Sequence, residues 1–455
     1  MTARSFSRGA LTETWYSLSM GRRMLSRRRL LKQLAGTAAA TSCLTSAQPP
    51  ISPGSGLISL SKEDDDFLEQ LEKANFQFFW DRADPGTGLV PDRCNVRNPA
   101  GDAAAASIAA TGFGLTAICI GHQRGYVSLS DARRRVIATL QFLWKKMPTH
   151  RGFFFHWANI HTGERIWDSE VSSIDTTILL CGVLTCREYF RYAEISNLAW
   201  DILNRVDWTW VSEDTSLLPM GWTPEIGFLP YRWEQYSELM MMYLLGMGSS
   251  SHPLPVSTWD AWKRITFEYD GLRYIGSYAP LFVHQYSQAW FDFRGKRDKY
   301  ADYFKNSTIA TEVHRRFCLD LSKQFSHYSD DLWGITASDS KRGYVVWGGP
   351  PEMGAIDGTV VPSAAGGSLP FLPQPTLRVL KNMKSRYGSR AWCNYGFVNA
   401  FNPRTDWYDT DVIGIDTGIT MLMAENLRTG FVWNTFMKSR EAQLGLQRAK
   451  FWNYS

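Results

Sequence analysis

Paired cysteines are the first thing this 455-residue chain lacks: its seven cysteines include no CxxC spacing and no Cys–His zinc spacing. That excludes a zinc-ribbon, a thioredoxin-type motif and a small disulfide-stapled scaffold. Cys119, Cys181 and Cys318 fall in apolar segments of helical pattern and read as small buried hydrophobes. No apolar run after the N-terminal segment is long enough to span a bilayer. Ser/Pro/Gly-rich and charged low-complexity runs are missing after Pro53, so nothing separates two cores, and a single domain over 48–455 is expected. Period-two runs with hairpin turns are scarce, which excludes a sandwich or barrel of strands. No repeat of fixed length is visible, which weighs against a solenoid.

A surplus of positive charge is missing too, once its location is considered. The 49 Lys and Arg exceed the 44 Asp and Glu, but eight of the former and one of the latter lie within residues 1–32. The remainder is near neutral, at −2. A nucleic-acid partner calls for clustered basic residues, and none is expected here. The basic segment itself, Ser26-Arg27-Arg28-Arg29-Leu30-Leu31-Lys32, runs into the small apolar stretch 33–40. This is the pattern of a twin-arginine export signal over 1–47, with cleavage after Ala47 and with Met20 or Met24 as alternative starts. A periplasmic or secreted, monomeric product without a membrane anchor is the expectation.

Helical spacing dominates what is present. Ser61 and Asp64 make a capping pattern ahead of Phe67, Leu68, Leu71, Ala74, Phe78 and Phe79. Segments buried on all sides (103–120, 173–190, 234–245, 282–293, 364–372, 416–427) alternate with amphipathic or mixed ones (130–146, 197–206, 259–269, 307–325, 376–387, 434–450). Such alternation predicts an all-α fold, an (α/α)6 toroid of inner and outer helices, with a two-layer helical bundle as the alternative.

The starts of the buried helices carry the candidate chemistry. Asp175 follows Ser172-Ser173-Ile174, Asp416 follows Gly414-Ile415, and Glu234 and Glu238 stand four apart, which would place them on one helix face. Asp168 and Glu170 precede the first of these helices, and Trp233 precedes the Glu pair. An Asp in a first turn also serves simply as a cap. Glu238 is harder to assign to structure alone, because a carboxylate heading an apolar run is costly unless partnered or used. Opposed carboxyls suit glycoside hydrolysis, in which one protonates the leaving oxygen and another activates water. The chain also has 19 Trp, 19 Tyr and 25 Phe, many beside polar residues, as in Phe153-Phe154-Phe155-His156-Trp157. Flat rings of that kind pack on pyranose faces, although most rings in any core simply fill it.

Seven segments, in one order along nearly the whole chain after the leader, resemble the glucoamylase-like domain of glycoside hydrolase family 144. They are 167–177 (WDSEVSSIDTT), 231–243 (YRWEQYSELMMMY), 278–294 (YAPLFVHQYSQAWFDFR), 331–339 (DLWGITASD), 357–363 (DGTVVPS), 395–402 (YGFVNAFN) and 411–426 (DVIGIDTGITMLMAEN). The resemblance implies an (α/α)6 catalytic domain over 48–455 that cleaves β-1,2-glucan with inversion and needs neither metal nor cofactor. It implies Glu238 as general acid, with Asp416 or Asp175 on the base side. It also implies His284, Gln285, Tyr286, Trp333, Asp339, Asp357, Phe397 and Asn399 as sugar-lining residues. Family members tend to carry Gln after the Asp of Gly-Ile-Asp and Asp before Ala-Phe-Asn, where this chain has Thr417 and Asn399. Two other classes stay open at this point: a polysaccharide lyase, and a catalytically inactive glycan-binding toroid.

Overall fold

The computed structural model describes residues 58–454 apart from 99–104, 214, 278–279 and 351–355. The expected leader, 1–47, lies outside the described residues. Contacts divide the chain into Met1–Ala38 and Ala39–Ser455, and the described residues all belong to the second unit.

Helix α1 (Lys62–Arg82) begins where the Ser61 hydroxyl accepts the Asp64 N–H, with Glu63, Asp64 and Asp65 in its first turn. Buried helices then alternate with amphipathic ones. The buried set is α2 (Ile108–Gln123), α4 (Ser173–Phe190), α6 (Leu239–Gly248), α7 (Tyr286–Trp290), α9 (Pro362–Gly366) and α11 (Gly414–Arg428). The amphipathic set is α1, α3 (Leu129–Lys145), α5 (Ala193–Asn204), α8 (Tyr303–Asp320), α10 (Pro373–Tyr387) and α12 (Arg440–Arg448). Buried helices contact one another: α2 meets α4 and α11, α6 meets α4 and α7, and α7 and α9 both meet α11. The amphipathic helices cover them, α1 lying on α2 and α11, α10 on α9 and α12 on α6. About half of the described residues are thus helical, and no described helix is long and apolar enough to cross a membrane.

Short antiparallel pairs lead into three of the buried helices. Strand β1 (Arg93–Asn95) pairs with β8 (Asp411–Ile413), β2 (Ala105–Ser107) with β3 (Trp157–Asn159), and β4 (Val171–Ser172) with β5 (Gly221–Thr223). Because β2, β4 and β8 run directly into α2, α4 and α11, the first turns of these packed helices emerge from one set of strand pairs.

The structure corrects several sequence expectations. Around the segment 259–269 only Thr258–Ala261 is helical, and Ile265–Tyr269 is strand β6, paired with β7 (Leu272–Gly276). Ile-Thr-Phe-Glu-Tyr alternates, and the turn is Asp270-Gly271, both with positive φ, the arrangement that closes a two-residue hairpin. Segment 282–293 is a 3-10 turn, Leu281–His284, followed by the five-residue α7. Helix α6 starts only at Leu239, so Glu234 and Glu238 do not share a helix face. Segment 434–450 is broken into Phe431–Phe436 and α12.

Candidate active site

Asp175 and Asp416 occupy the same position in two different helices, the third residue of α4 and of α11. Helix α2 packs between those helices, and the preceding strands tie their starts together: the Gly414 N–H donates to Asp92 O, and Ile108 N–H to His156 O. The two carboxyls are nevertheless held differently. Asp175 belongs to a cap: its N–H donates to Ser172 Oγ at 2.9 Å, and that hydroxyl donates back to Asp175 Oδ2. Helix α11 has no side-chain cap, and Asp416 Oδ2 instead accepts the Asn399 amide at 2.6 Å.

Asn399 is the pivot of this half of the site. Its Oδ1 accepts the Asp339 N–H at 2.8 Å, and its own N–H donates to Asp411 O. These bonds fix the plane in which its amide meets Asp416. Phe397, Asn399, Asp416 and Thr417 line an open recess. Behind it Arg93 bridges Asp92 (3.0 Å), Asp411 (3.1 Å) and Asp339. Burial pushes the Asp339 carboxyl upward, against the opposing pull of Arg93. Burial, then the neighbouring Asp339 and Asp411, push Asp409 up to about 7.

On the other half, His156 connects two expected carboxylates. Its Nδ1 lies 3.3 Å from Glu170 Oε1 and its Nε2 3.7 Å from Asp175 Oδ2. The imidazole stacks on Trp157 at 4.3 Å, and Trp157 meets the exposed Trp167 edge-on. Trp167 and Asp168 both have positive φ, a strained pair for residues with side chains, and both are exposed. Trp233 is buried and its indole N–H donates to Ser173 Oγ at 2.9 Å, so it supports the Asp175 turn from beneath.

Glu238 caps α6 and is fully buried, with its carbonyl accepting the Ser287 hydroxyl at the start of α7. Glu234 stands apart, near Lys263 at 3.8 Å on the surface. Four residues expected to line sugar are buried. Trp333 is fully buried in a core cluster. Gln285 spends its amide on Ala364 O and Ser368 Oγ, Tyr286 packs on Phe113 and Phe282, and burial, then His314, push the His284 imidazole down to about 3. Asp357 is occupied by a turn, accepting the N–H and hydroxyl of Thr359 ahead of α9. The residues missed by sequence reasoning are Arg93, His156, Asp409 and Asp411. His156 carried a signal in its aromatic-rich segment and Asp411 stood at the head of the segment 411–426, whereas Arg93 stands 246 positions from Asp339.

Comparison with known proteins gives three findings. A family model described as "Putative glucoamylase" matches residues 230–440. A curated relative, the exo β-1,2-glucooligosaccharide sophorohydrolase (non-reducing end) of Parabacteroides distasonis, is 28% identical in an alignment of 424 positions, gaps included, that covers 85% of this chain. The match spans 58% of that relative's own length. Among solved structures, a "putative glucoamylase" of Bacteroides fragilis is 31% identical with a TM-score of 0.81, covering 89% of this chain and 100% of that one. The endo-β-1,2-glucanase of Chitinophaga pinensis, in complex with sophorotriose and glucose, is 27% identical with a TM-score of 0.81, covering 87% and 99%.

Proposed function

Since this chain belongs to the glucoamylase-like family of glycoside hydrolase family 144 type, we propose that it hydrolyses a β-linked glucan, with β-1,2-glucan as substrate and inversion at the anomeric carbon. The observation that carries this reading is the carboxyl of Asp416, held by Asn399 on the wall of a recess at a helix start. Inversion needs a second carboxyl on the far side of the sugar, roughly 6.5–9.5 Å away, to leave room for water. We assign the acid role to Glu238, the carboxyl at the start of α6, buried where α6 meets α7. Asp416 takes the base role in preference to Asp175, because Asp416 lines the recess whereas Asp175 is buried and caps its own helix through Ser172. Water attacks the anomeric carbon as Asp416 accepts its proton, while Glu238 delivers one to the departing glycosidic oxygen. The products are a hemiacetal of inverted configuration and a shortened chain.

The architecture we read around this site is an (α/α)6 toroid over 48–455, with α2, α4, α6, α7, α9 and α11 as the inner ring and an amphipathic helix outside each. Gln285 supports the α7 to α9 step of that ring. Residues 1–47 act as a twin-arginine signal, which makes the product periplasmic or secreted, and we read it as a monomer acting on oligo- or polysaccharide.

Digestion of linear β-1,2-glucan, followed by anomer-resolved NMR, tests the reading. Reducing ends should appear first as the α-anomer, and Glu238→Gln or Asp416→Asn should lower kcat by roughly 10²–10⁴ while the fold persists. Absence of release from every β-glucan would overturn it.

A further inference from the structure

Four carboxyls, those of Asp92, Asp339, Asp409 and Asp411, gather around one guanidinium. Arg93 is their only ion-pair partner among the described residues, and it reaches three of the four. Asp409 is the one it does not reach. Asp409 is only 8% exposed, and its Oδ1 accepts the N–H groups of Thr410 and Asp411. Its Oδ2 is buried without a hydrogen-bond partner. A buried carboxylate oxygen facing two further carboxylates is costly unless something positive meets it.

We propose that Asp339, Asp409 and Asp411 hold a divalent cation of the calcium class. One oxygen from each lies within 4.8 Å of the others. A calcium ion bonds oxygen at ~2.3–2.6 Å, so two ligands on opposite sides of it stand ~4.6–5.2 Å apart and these three oxygens can meet one ion with little rearrangement. Magnesium, at ~2.0–2.1 Å with a strict octahedron, would need the three drawn closer. An all-oxygen donor set without His or Cys also disfavours zinc and copper. Asp339 is partly open to solvent, which leaves room for waters to complete the shell.

The cation's role is positional. Asp411 begins β8, which leads into α11, while Asp339 donates its N–H to the Asn399 side chain that holds Asp416. An ion joining the two fixes the loop carrying Asp339 against the strand that precedes the base candidate, and it takes no part in bond cleavage.

The test reads binding and stability rather than turnover. Full-length protein stripped with chelator is titrated with calcium chloride by calorimetry and thermal unfolding, with sodium chloride matched for ionic strength. Calcium should raise Tm by several degrees, magnesium should raise it less, and Asp409→Asn should abolish the rise. The chelator-treated Asp409→Asn protein should be at least as stable as the stripped wild type, because the substitution relieves an unpaired charge. Terbium offers a readout that needs no variant: Trp347, whose indole N–H donates to Ser338 Oγ beside Asp339, should sensitise its emission, and calcium should quench it. The proposal fails if wild-type Tm responds to pH but not to calcium, if terbium emission is absent, or if Asp409→Asn shows the same calcium shift as wild type.

Discussion

At the scale of single residues, Asn399 carries more of the candidate site than its side chain suggests. It holds Asp416, receives Asp339 and donates to Asp411. Asn399→Ala should leave KM on β-1,2-glucan nearly unchanged and lower kcat by roughly 10²-fold, the scale of a misplaced reacting group. Steady-state kinetics on the purified variant, alongside its Tm, would separate this from unfolding. His284 and His314 carry a different consequence. Burial holds each imidazole near a pKa of about 3, with His314 adding to the effect on His284. Unfolded, both take up protons below about pH 6.5, so the unfolded chain binds more protons across that window. Their stabilising contribution is complete above about pH 6.5 and is lost as pH falls toward 3, and thermal unfolding in a pH series should show Tm declining over that range. Sequence reasoning reaches Asp175, Asp416, Phe397 and Asn399 through helix starts and family likeness. It does not reach Arg93 or Asp409, whose partners come from other segments and obey no spacing rule.

At the scale of elements, helix periodicity is legible wherever a helix is long. The segment 173–190 coincides with α4, and α1, α3 and α10 fall where amphipathic spacing puts them. The short buried pieces are less legible, since an apolar run such as 282–293 gives no period to distinguish one long helix from a turn and a five-residue α7. The hairpin of β6 and β7 escapes a helical reading of 259–269 because its aromatic alternation is brief, although Asp270-Gly271 is a hairpin signal. Glycines in α2 and α4 explain how tightly those helices meet. A Cβ on Gly182 would lie 2.2 Å from Gly112 O, and one on Gly112 would lie 2.4 Å from Ile178 O. Helix propensity alone favours Gly182→Ala by about 1 kcal/mol. The backbone clash decides otherwise, and we expect net destabilisation of about 1–3 kcal/mol, measurable as a lowered urea midpoint.

At the scale of the whole molecule, the first and last parts of the described chain are fastened together. Arg428, the last residue of α11, has a side chain only 3% exposed that bonds Asp65, Glu69 and Glu72 of α1 at 2.7, 2.8 and 2.7 Å. Glu72 is fully buried, and Arg124 supports it from 3.5 Å while bonding Glu425. Removing Arg428 leaves the buried Glu72 with Arg124 alone, a cation it shares with Glu425. Arg428→Met should therefore cost about 3–5 kcal/mol in chemical unfolding, and Arg428→Met with Glu72→Gln should recover part of it.

The pairing of β1 with β8 sets an order of events during synthesis. Arg93 leaves the ribosome early and meets Asp411 only after some three hundred further residues have been added. A chain terminated before Asp411 would lack the matching strand, the helix behind it and Asp416 together. Premature stops should consequently yield inert fragments rather than weakened hydrolases, and competence should arrive as a single late step in translation.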